Sequence, residues 1–253
     1  MLTLERRKEI LEYMKSKNAV TVSDLSSHFF ISEATIRRDL EKMSKQGLIK
    51  RTYGGAVLLD GLNSDLPLML REGESTKFKD QIAAAAAPFI QNGSTVFLDS
   101  SSTVSRLVPY FAGLSGVTVV TNAPKTAALL CEYRNLEVYC AGGKLRGNSC
   151  SVVGSTAYSF FAGCYADIAF ISCRGICVDK GITDTSLEDA EIKRQMLQTA
   201  RTKVLLCDSS KFGKEFFSLV CTVSSLDYVI TNRGCDNNMI NAISAAGPTV
   251  ISG

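Results

Sequence analysis

Between residues 95 and 231, short apolar runs alternate with stretches of helical periodicity, and this alternation constrains the fold more than any other feature of the chain. The runs are residues 95–98, 117–121, 136–140, 168–171, 203–207 and 228–231, and the helical stretches include 82–90, 124–131 and 187–201. Each run is of strand length and ends in turn-forming residues. Strands separated by helices pair in parallel, which predicts an α/β fold with a doubly wound sheet.

Several of these strands lead straight into polar or glycine-rich ends: Asp99-Ser100-Ser101-Ser102-Thr103, Thr121-Asn122, Gly142-Gly143, Asp208-Ser209-Ser210-Lys211 and Thr231-Asn232. In an open α/β sheet such ends share one crevice, outside the carboxyl ends of the strands, where ligands bind. Hydroxyls and the N–H groups opening a helix near Ser102 suit a phosphate, Asp99 and Asp208 suit sugar hydroxyls, and Lys211 suits an anion. Taken singly, each loop reads as a cap or a turn; their shared position makes them a candidate site.

The N-terminal quarter has a different character. The first sixty residues carry 11 Lys and Arg against 8 Asp and Glu, whereas the remainder carries 17 of each, so the excess positive charge lies at one end. Residues 4–17 place Ile10, Leu11 and Met14 at helical spacing. Thr21-Val22-Ser23-Asp24 is a capping box that opens a second short helix. Ser32 is an N-cap and Glu33 suits the first turn of a third helix, which Gly47 ends.

On that third helix Ile36, Leu40 and Met43 form the only apolar stripe and must face inward. The opposite face holds Ala34, Arg38, Glu41 and Lys45, flanked by Thr35, Arg37 and Lys42. Three helices in so short a span suggest a helix-turn-helix. Arg reads guanine edges bidentately, Thr meets a thymine methyl or a phosphate, and the helix N-terminus near Ser32 favours phosphate. A charged solvent face is the plain alternative. Residues 48–57 read as two strands around a basic turn, either a wing whose Lys50 and Arg51 lie along the phosphate backbone or a simple interdomain hairpin.

Arg6, Ile10, the run Ser32-Glu33-Ala34-Thr35-Ile36-Arg37-Arg38-Asp39-Leu40, then Gly47-Leu48-Ile49 and Gly54-Gly55-Ala56 together resemble the DeoR family of bacterial transcriptional regulators. The resemblance runs on through almost the whole chain. It implies a sensor domain similar to ribose-5-phosphate isomerase and glucosamine-phosphate deaminase folds. Asp99–Thr103, Thr121-Asn122, Gly142-Gly143, Asp167 with Phe170, Glu191 with Lys193, and residues 208–213 carry it there. Departures are Tyr53 in place of a common histidine, Ser101 in place of a glycine, Cys173-Arg174 before Gly175, and Asn232 in place of a common aspartate. Glu191 and Lys193 leave a helix about 200° apart, so both cannot point at one ligand, and a surface pair flanking Ile192 is an equal alternative for Lys193.

The expected organisation is therefore a winged helix-turn-helix domain at residues 1–57 and a linker at 58–75 rich in Gly, Asn, Ser, Asp and Pro. A doubly wound sensing and oligomerising domain follows at 76–253. The expected function is a repressor of a sugar-metabolism operon, holding operator DNA as a homodimer or higher oligomer and modulated by a phosphorylated sugar. The rival is a sugar-phosphate isomerase with an accessory DNA-binding part. Asp99, Asp208, Glu191 and Lys211 offer it acid/base groups, but it needs a correctly placed general base, and the single histidine, His28, falls in the N-terminal quarter. Nine cysteines from Cys131 to Cys235 show no paired metal spacing, which argues for reduced buried thiols, no metal, no cofactor and a cytoplasmic protein; Cys173 and Cys177 are the nearest pair for a redox alternative. A charged N-terminus and the lack of a long apolar run argue against secretion and membrane spanning.

Overall fold

The computed structural model describes residues 3–17, 19–45, 47–58, 68–147 and 149–253. The chain divides into two compact units, Met1–Leu70 and Arg71–Gly253. Half of the expected linker, residues 59–67, lies outside the described residues.

The first unit runs α1 (Thr3–Lys17), β1 (Ala19–Thr21), α2 (Val22–Phe29), α3 (Glu33–Lys45), β2 (Ile49–Thr52) and β3 (Gly55–Leu58). Ile10, Met14, Leu25, Ile36, Leu40 and Met43 are fully buried and form one core. The Thr21 hydroxyl accepts the Asp24 N–H at 3.0 Å and the Asp24 carboxylate accepts the Thr21 N–H at 3.2 Å, completing the capping box. These bonds hold the Asp24 carboxyl below its ordinary pKa. Helix α3 ends in a Schellman motif: Leu48 N–H reaches Met43 C=O, Gly47 N–H reaches Ser44 C=O, and Gly47 takes φ +70°. Strand β3 pairs antiparallel with both β1 and β2, making a three-stranded wing. A Cβ at Gly55 would stand 2.1 Å from the Val20 carbonyl oxygen, so only glycine lets β1 and β3 close.

The second unit follows α4 (Leu68–Gly73), whose last residues belong to it. It contains α5 (Thr76–Ala86), β4 (Thr95–Leu98), β5 (Val117–Thr121), α6 (Pro124–Leu130), β6 (Leu136–Cys140), the hairpin β7 (Lys144–Arg146) and β8 (Ser151–Val153), then α7 (Ser155–Ala162) and β9 (Ala166–Ile171). The chain continues through β10 (Gly175–Cys177), β11 (Gly181–Asp184), α8 (Leu187–Thr199), β12 (Ala200–Leu206), β13 (Ser218–Cys221), β14 (Tyr228–Thr231), α9 (Asn237–Ala245) and β15 (Thr249–Ser252).

Seven of these strands form one parallel sheet in the order β15-β14-β12-β9-β4-β5-β6. Alternate side chains enter different layers: Val96, Leu98, Ile168 and Phe170 belong to one buried cluster, and Phe97, Ala169 and Ile171 to the other. From β4 the chain winds outward through β5 to β6, then returns to β9 on the other side of β4. The switch point therefore lies between the carboxyl ends of β4 and β9.

The doubly wound sheet is as expected, with differences in detail. The helix expected at residues 82–90 is α5, ending at Ala86 before a 3₁₀ turn at Ala87–Phe89, because Pro88 offers no N–H to a continuing helix. The helix expected to open near Ser102 is a 3₁₀ segment, Val104–Phe111, with Pro109 inside it. Strands β10, β11 and β13 form a small antiparallel sheet that the alternation did not announce.

Candidate DNA-reading face and effector crevice

On α3, Ile36, Leu40 and Met43 are buried, while Ala34, Arg37, Arg38, Glu41, Lys42 and Lys45 are exposed. The carbonyl of Ser32 accepts the Thr35 and Ile36 N–H groups, and its hydroxyl lies 3.0 Å from that of Thr35, so the cap closes through main chain and paired hydroxyls. Arg37 donates to Glu33 at 2.9 Å one turn back, an exposed pair worth a few tenths of a kcal/mol and easily exchanged for a phosphate. Arg38 and Lys42 have no ion-pair partner among the described residues.

Sequence reasoning missed what holds this helix. Asp39 is buried, and its two carboxylate oxygens accept Arg6 Nε at 2.5 Å and Arg7 Nε at 2.8 Å from α1. The signal was present: Asp39 is a charge one turn from both Ile36 and Met43, on the edge of the apolar stripe. Arg6, Arg7, Thr35, Arg38, Lys42 and Lys45, with Glu41 paired to Lys45, surround a cleft of about 260 Å³ beside the ion triad, where cations outnumber carboxylates.

Arg51 corrects the expectation of two wing cations on DNA. Strand alternation sends Lys50 outward and turns Arg51 toward α3, where Nη1 donates to the Arg37 carbonyl at 3.2 Å. Arg51 fastens the wing to the reading helix, and Lys50 remains exposed. At the wing tip Tyr53 is fully exposed and Gly54 takes φ +84°.

In the second unit the floor of the crevice is a buried charge cluster. Asp99 accepts the Ser101 N–H at 2.9 Å and, across the switch point, the Ser172 N–H at 2.8 Å. Lys193 donates to Ser172 C=O at 2.8 Å and to Asp184 at 2.5 Å, with Asp99 at 3.5 Å. Burial alone lowers the pKa of the Lys193 ammonium, but Asp184 and Asp99 outweigh it and raise the pKa above its ordinary value. Burial likewise pushes the Asp184 carboxyl up, and Lys193 more than offsets it, holding that carboxyl below the ordinary range.

Lys193 is thus internal, and the surface-pair alternative does not hold. Glu191 is exposed on the other side of α8, which removes it from the crevice. The residue sharing the Lys193 face is Asp189, one turn earlier: it accepts Ser151 Oγ at 2.7 Å and Arg146 at 2.8 Å from the β7–β8 hairpin. Spacing of i, i+4 on α8 was a readable signal for this partner; the hairpin contacts were not readable.

The loop after β4 supplies the donors. Ser101 Oγ accepts the Val104 N–H at 3.2 Å, so the residue standing in place of glycine caps the 3₁₀ segment. The N–H groups of Ser100, Ser102 and Thr103 have no acceptor among the described residues, although all three residues are buried. Adjacent free N–H groups of this kind make an anion-binding concavity.

Other expected residues play structural parts. The Thr121 hydroxyl donates to Leu98 C=O at 2.7 Å and accepts the Ala123 N–H at 3.0 Å, so it ties β5 to β4 instead of facing a ligand. Asn122 donates to Val152 C=O at 3.1 Å, and its buried carbonyl oxygen has no partner among the described residues. Gly143 takes φ +147°, and a Cβ there would lie 2.9 Å from the Val153 carbonyl; Gly142 is open. Asp208 caps the 3₁₀ turn Ser209–Lys211 through the Ser210 N–H and hydroxyl, while Lys211 stands half-buried beside it.

Lys79 was missed altogether. It is buried at the start of α5 and donates to the Arg71 carbonyl. Burial, with the nearby charges of Lys211 and Arg106 against those of Asp208 and Glu74, lowers its pKa to about 8. Among the cysteines, Cys173 approaches Cys207, with sulfurs 3.6 Å apart, and not Cys177; burial pushes the Cys207 thiol well up, the mark of an unreactive group. His28 stacks on Tyr13 at 4.2 Å in the first unit. Among the described residues no group of metal-ligating side chains forms, and no helix is long and apolar enough to cross a membrane.

A winged helix-turn-helix followed by a doubly wound α/β domain with a polar crevice at its switch point defines a two-part DNA-binding regulator. Residues 6–61 match the DeoR-like helix-turn-helix domain and residues 74–233 the DeoR C terminal sensor domain. The chain belongs to the DeoR family of transcriptional regulators, as its recognition-helix signature implied. The HTH-type transcriptional regulator GlpR of Haloferax volcanii is 34% identical over 256 residues, spanning 100% of this chain and 99% of its own. The glycerol-3-phosphate regulon repressor of Escherichia coli strain K12 is 30% identical over 232 residues, 92% of each chain. A solved ribose 5-phosphate isomerase from Methanocaldococcus jannaschii aligns over 55% of each chain at 14% identity and TM-score 0.41, too distant to carry an argument.

Proposed function

We propose that the chain is a cytoplasmic repressor of a sugar- or polyol-phosphate operon. It binds operator DNA as a homodimer or higher oligomer and is modulated by a phosphorylated sugar in the crevice. The domains are taken as 1–57, 58–75 and 76–253. DNA reading rests with Ser32, Ala34, Thr35, Arg37, Arg38, Lys42 and Lys50. The observation that carries the effector half is the set of free N–H donors at Ser100, Ser102 and Thr103, beside the switch point. Asn122 and Lys211 lie at neighbouring strand ends. The relative named for the glycerol-3-phosphate regulon supports a small phosphorylated ligand.

The function is sensing without turnover. Lys193 is locked as an ammonium by two carboxylates, and both Asp99 oxygens accept main-chain N–H groups, so neither is free to move a substrate proton. The test is a thermal-shift screen of matched sugars and sugar phosphates, followed by operator gel shifts and turnover assays with every hit. A ligand at about 100 times its Kd stabilises by roughly 2.7 kcal/mol. Stabilisation that requires the phosphate, with altered DNA affinity and no product, is expected. Stabilisation by unphosphorylated sugars alone, or turnover of a hit, would overturn the reading.

A further inference from the structure

We propose that Glu72 is a built-in competitor of the effector phosphate. Its carboxylate shares the cationic rim of the crevice with that phosphate, so that ligand binding frees the strap leading back to the DNA-binding unit. The inference deepens the crevice reading and rests on it.

The strap is residues 71–74, the end of α4 and its exit into α5. Three cations hold it. Lys125 Nζ meets the two Glu72 carboxylate oxygens at 2.6 and 2.7 Å, Arg106 donates to the Glu72 carbonyl at 2.8 Å, and Lys79 donates to the Arg71 carbonyl. They come from three elements around the carboxyl ends of the strands. Lys79 lies in the first turn of α5, Arg106 in the 3₁₀ segment after the β4 loop, and Lys125 at the start of α6, directly after β5. Helices that return antiparallel to a parallel sheet begin at the crevice end, so the strap meets this unit at its ligand-binding rim.

The balance of charge favours exchange. Lys79 and Arg106 offer their hydrogen bonds here to carbonyl oxygens; Asp80 stands 3.7 Å from Arg106, and the charges of Asp208 and Lys211 both weigh on Lys79. The Lys125–Glu72 pair is part-exposed, so water screens it and little Coulomb energy is lost on separating it. A phosphate dianion brings more charge and three acceptor oxygens to the same cations, against one carboxylate. One ammonium cannot serve both anions at full strength. That exclusivity gives the ligand different affinities for the strapped and released states, which any shift in population requires. The strap begins at Arg71, the first residue of this unit, so its release frees the end of the unit that is nearest in sequence to the helix-turn-helix.

The full-length protein and its Glu72→Gln variant test this with inorganic phosphate as the probe. Titration calorimetry should show the variant binding phosphate about 2- to 5-fold more tightly, the worth of one exposed ion pair. Limited trypsin digestion, scored by mass spectrometry at Arg71 against the exposed Lys180 as reference, reports on the strap directly. Phosphate should speed wild-type cleavage at Arg71. The variant should be cut quickly without phosphate and gain little on its addition, while Lys125→Met should also be cut quickly. Equal phosphate affinity in wild type and Glu72→Gln, with unchanged cleavage at Arg71, overturns the competition and leaves the crevice reading standing. If neither protein binds phosphate, the crevice reading itself falls, and this inference with it.

Discussion

Asp189 and Lys193 sit one turn apart on α8, both buried, and together they join the β7–β8 hairpin to the switch point of the large sheet. Asp189 is among the charges that raise the proton affinity of Lys193, although its own hydrogen bonds go to Ser151 and Arg146. Replacing Lys193 by Met strands Asp184 and Asp99 as buried carboxylates, and breaking such a cluster costs about 3 to 5 kcal/mol. The sign of the pH dependence follows. In the wild type the lowered Asp184 pKa contributes stability above the ordinary carboxyl value, lost as pH falls through the folded value. In the variant burial of Asp184 is no longer offset by Lys193, so that carboxyl takes up a proton in mild acid and the deficit shrinks. Chemical denaturation at neutral pH and at about pH 5 checks this, and a deficit equal at both would count against uncompensated charge.

Lys79 makes the opposite contribution. Its folded pKa of about 8 lies below the ordinary lysine value, so the charged form is penalised in the folded state under neutral conditions. Stability should rise as pH increases from about 8 towards 10.5, by roughly 2 to 3 kcal/mol, as the unfolded chain comes to bind the extra proton. Lys79→Met should lack that rise. Denaturation curves of both proteins across the interval isolate the effect as a difference.

Arg38 and Lys50 should separate two kinds of DNA contact. Arg38→Ala is expected to lose about 1 to 3 kcal/mol of discrimination between operator and random DNA. Lys50→Ala should weaken both alike and lower the slope of log affinity against log salt by about 1. Titrations of both variants at several salt concentrations decide it. Equal loss on operator and random DNA in Arg38→Ala would remove Arg38 from base reading.

Gly55→Ala drives a methyl group into the Val20 carbonyl and should unseat the wing. The expected cost is about 1 to 3 kcal/mol in the first unit, with weaker binding to all DNA. Far-ultraviolet melting and filter binding measure the two effects. A variant as stable as the wild type would show that β1 and β3 can separate without loss.

The large features were legible because they arise from periodicity. The apolar stripe of α3, the capping box at Thr21 and the strand alternation each depend on residues close in sequence. The crevice was legible as a set of strand ends, but the role of each residue was not. Thr121 and Asp208 look like ligand groups in the sequence, yet their polar atoms close local turns and strand ties. Lys79, Arg146 and Asp39 escaped notice because their partners are 8, 43 and 33 or 32 residues away. Glu191 was misplaced by reading a neighbouring pair where one helical turn was the relevant interval.

The two hydrophobic layers of the large sheet are built mostly of strand and helix residues, but Ala141, Cys173 and Phe212 enter one of them from the strand-end loops, beside the polar groups at Gly142, Ser172 and Lys211. Each of these loops is therefore pinned to the core by one apolar side chain, and exchange is cheap only at its polar positions. A polar residue in such a loop can be exchanged while its apolar neighbour keeps the loop in place.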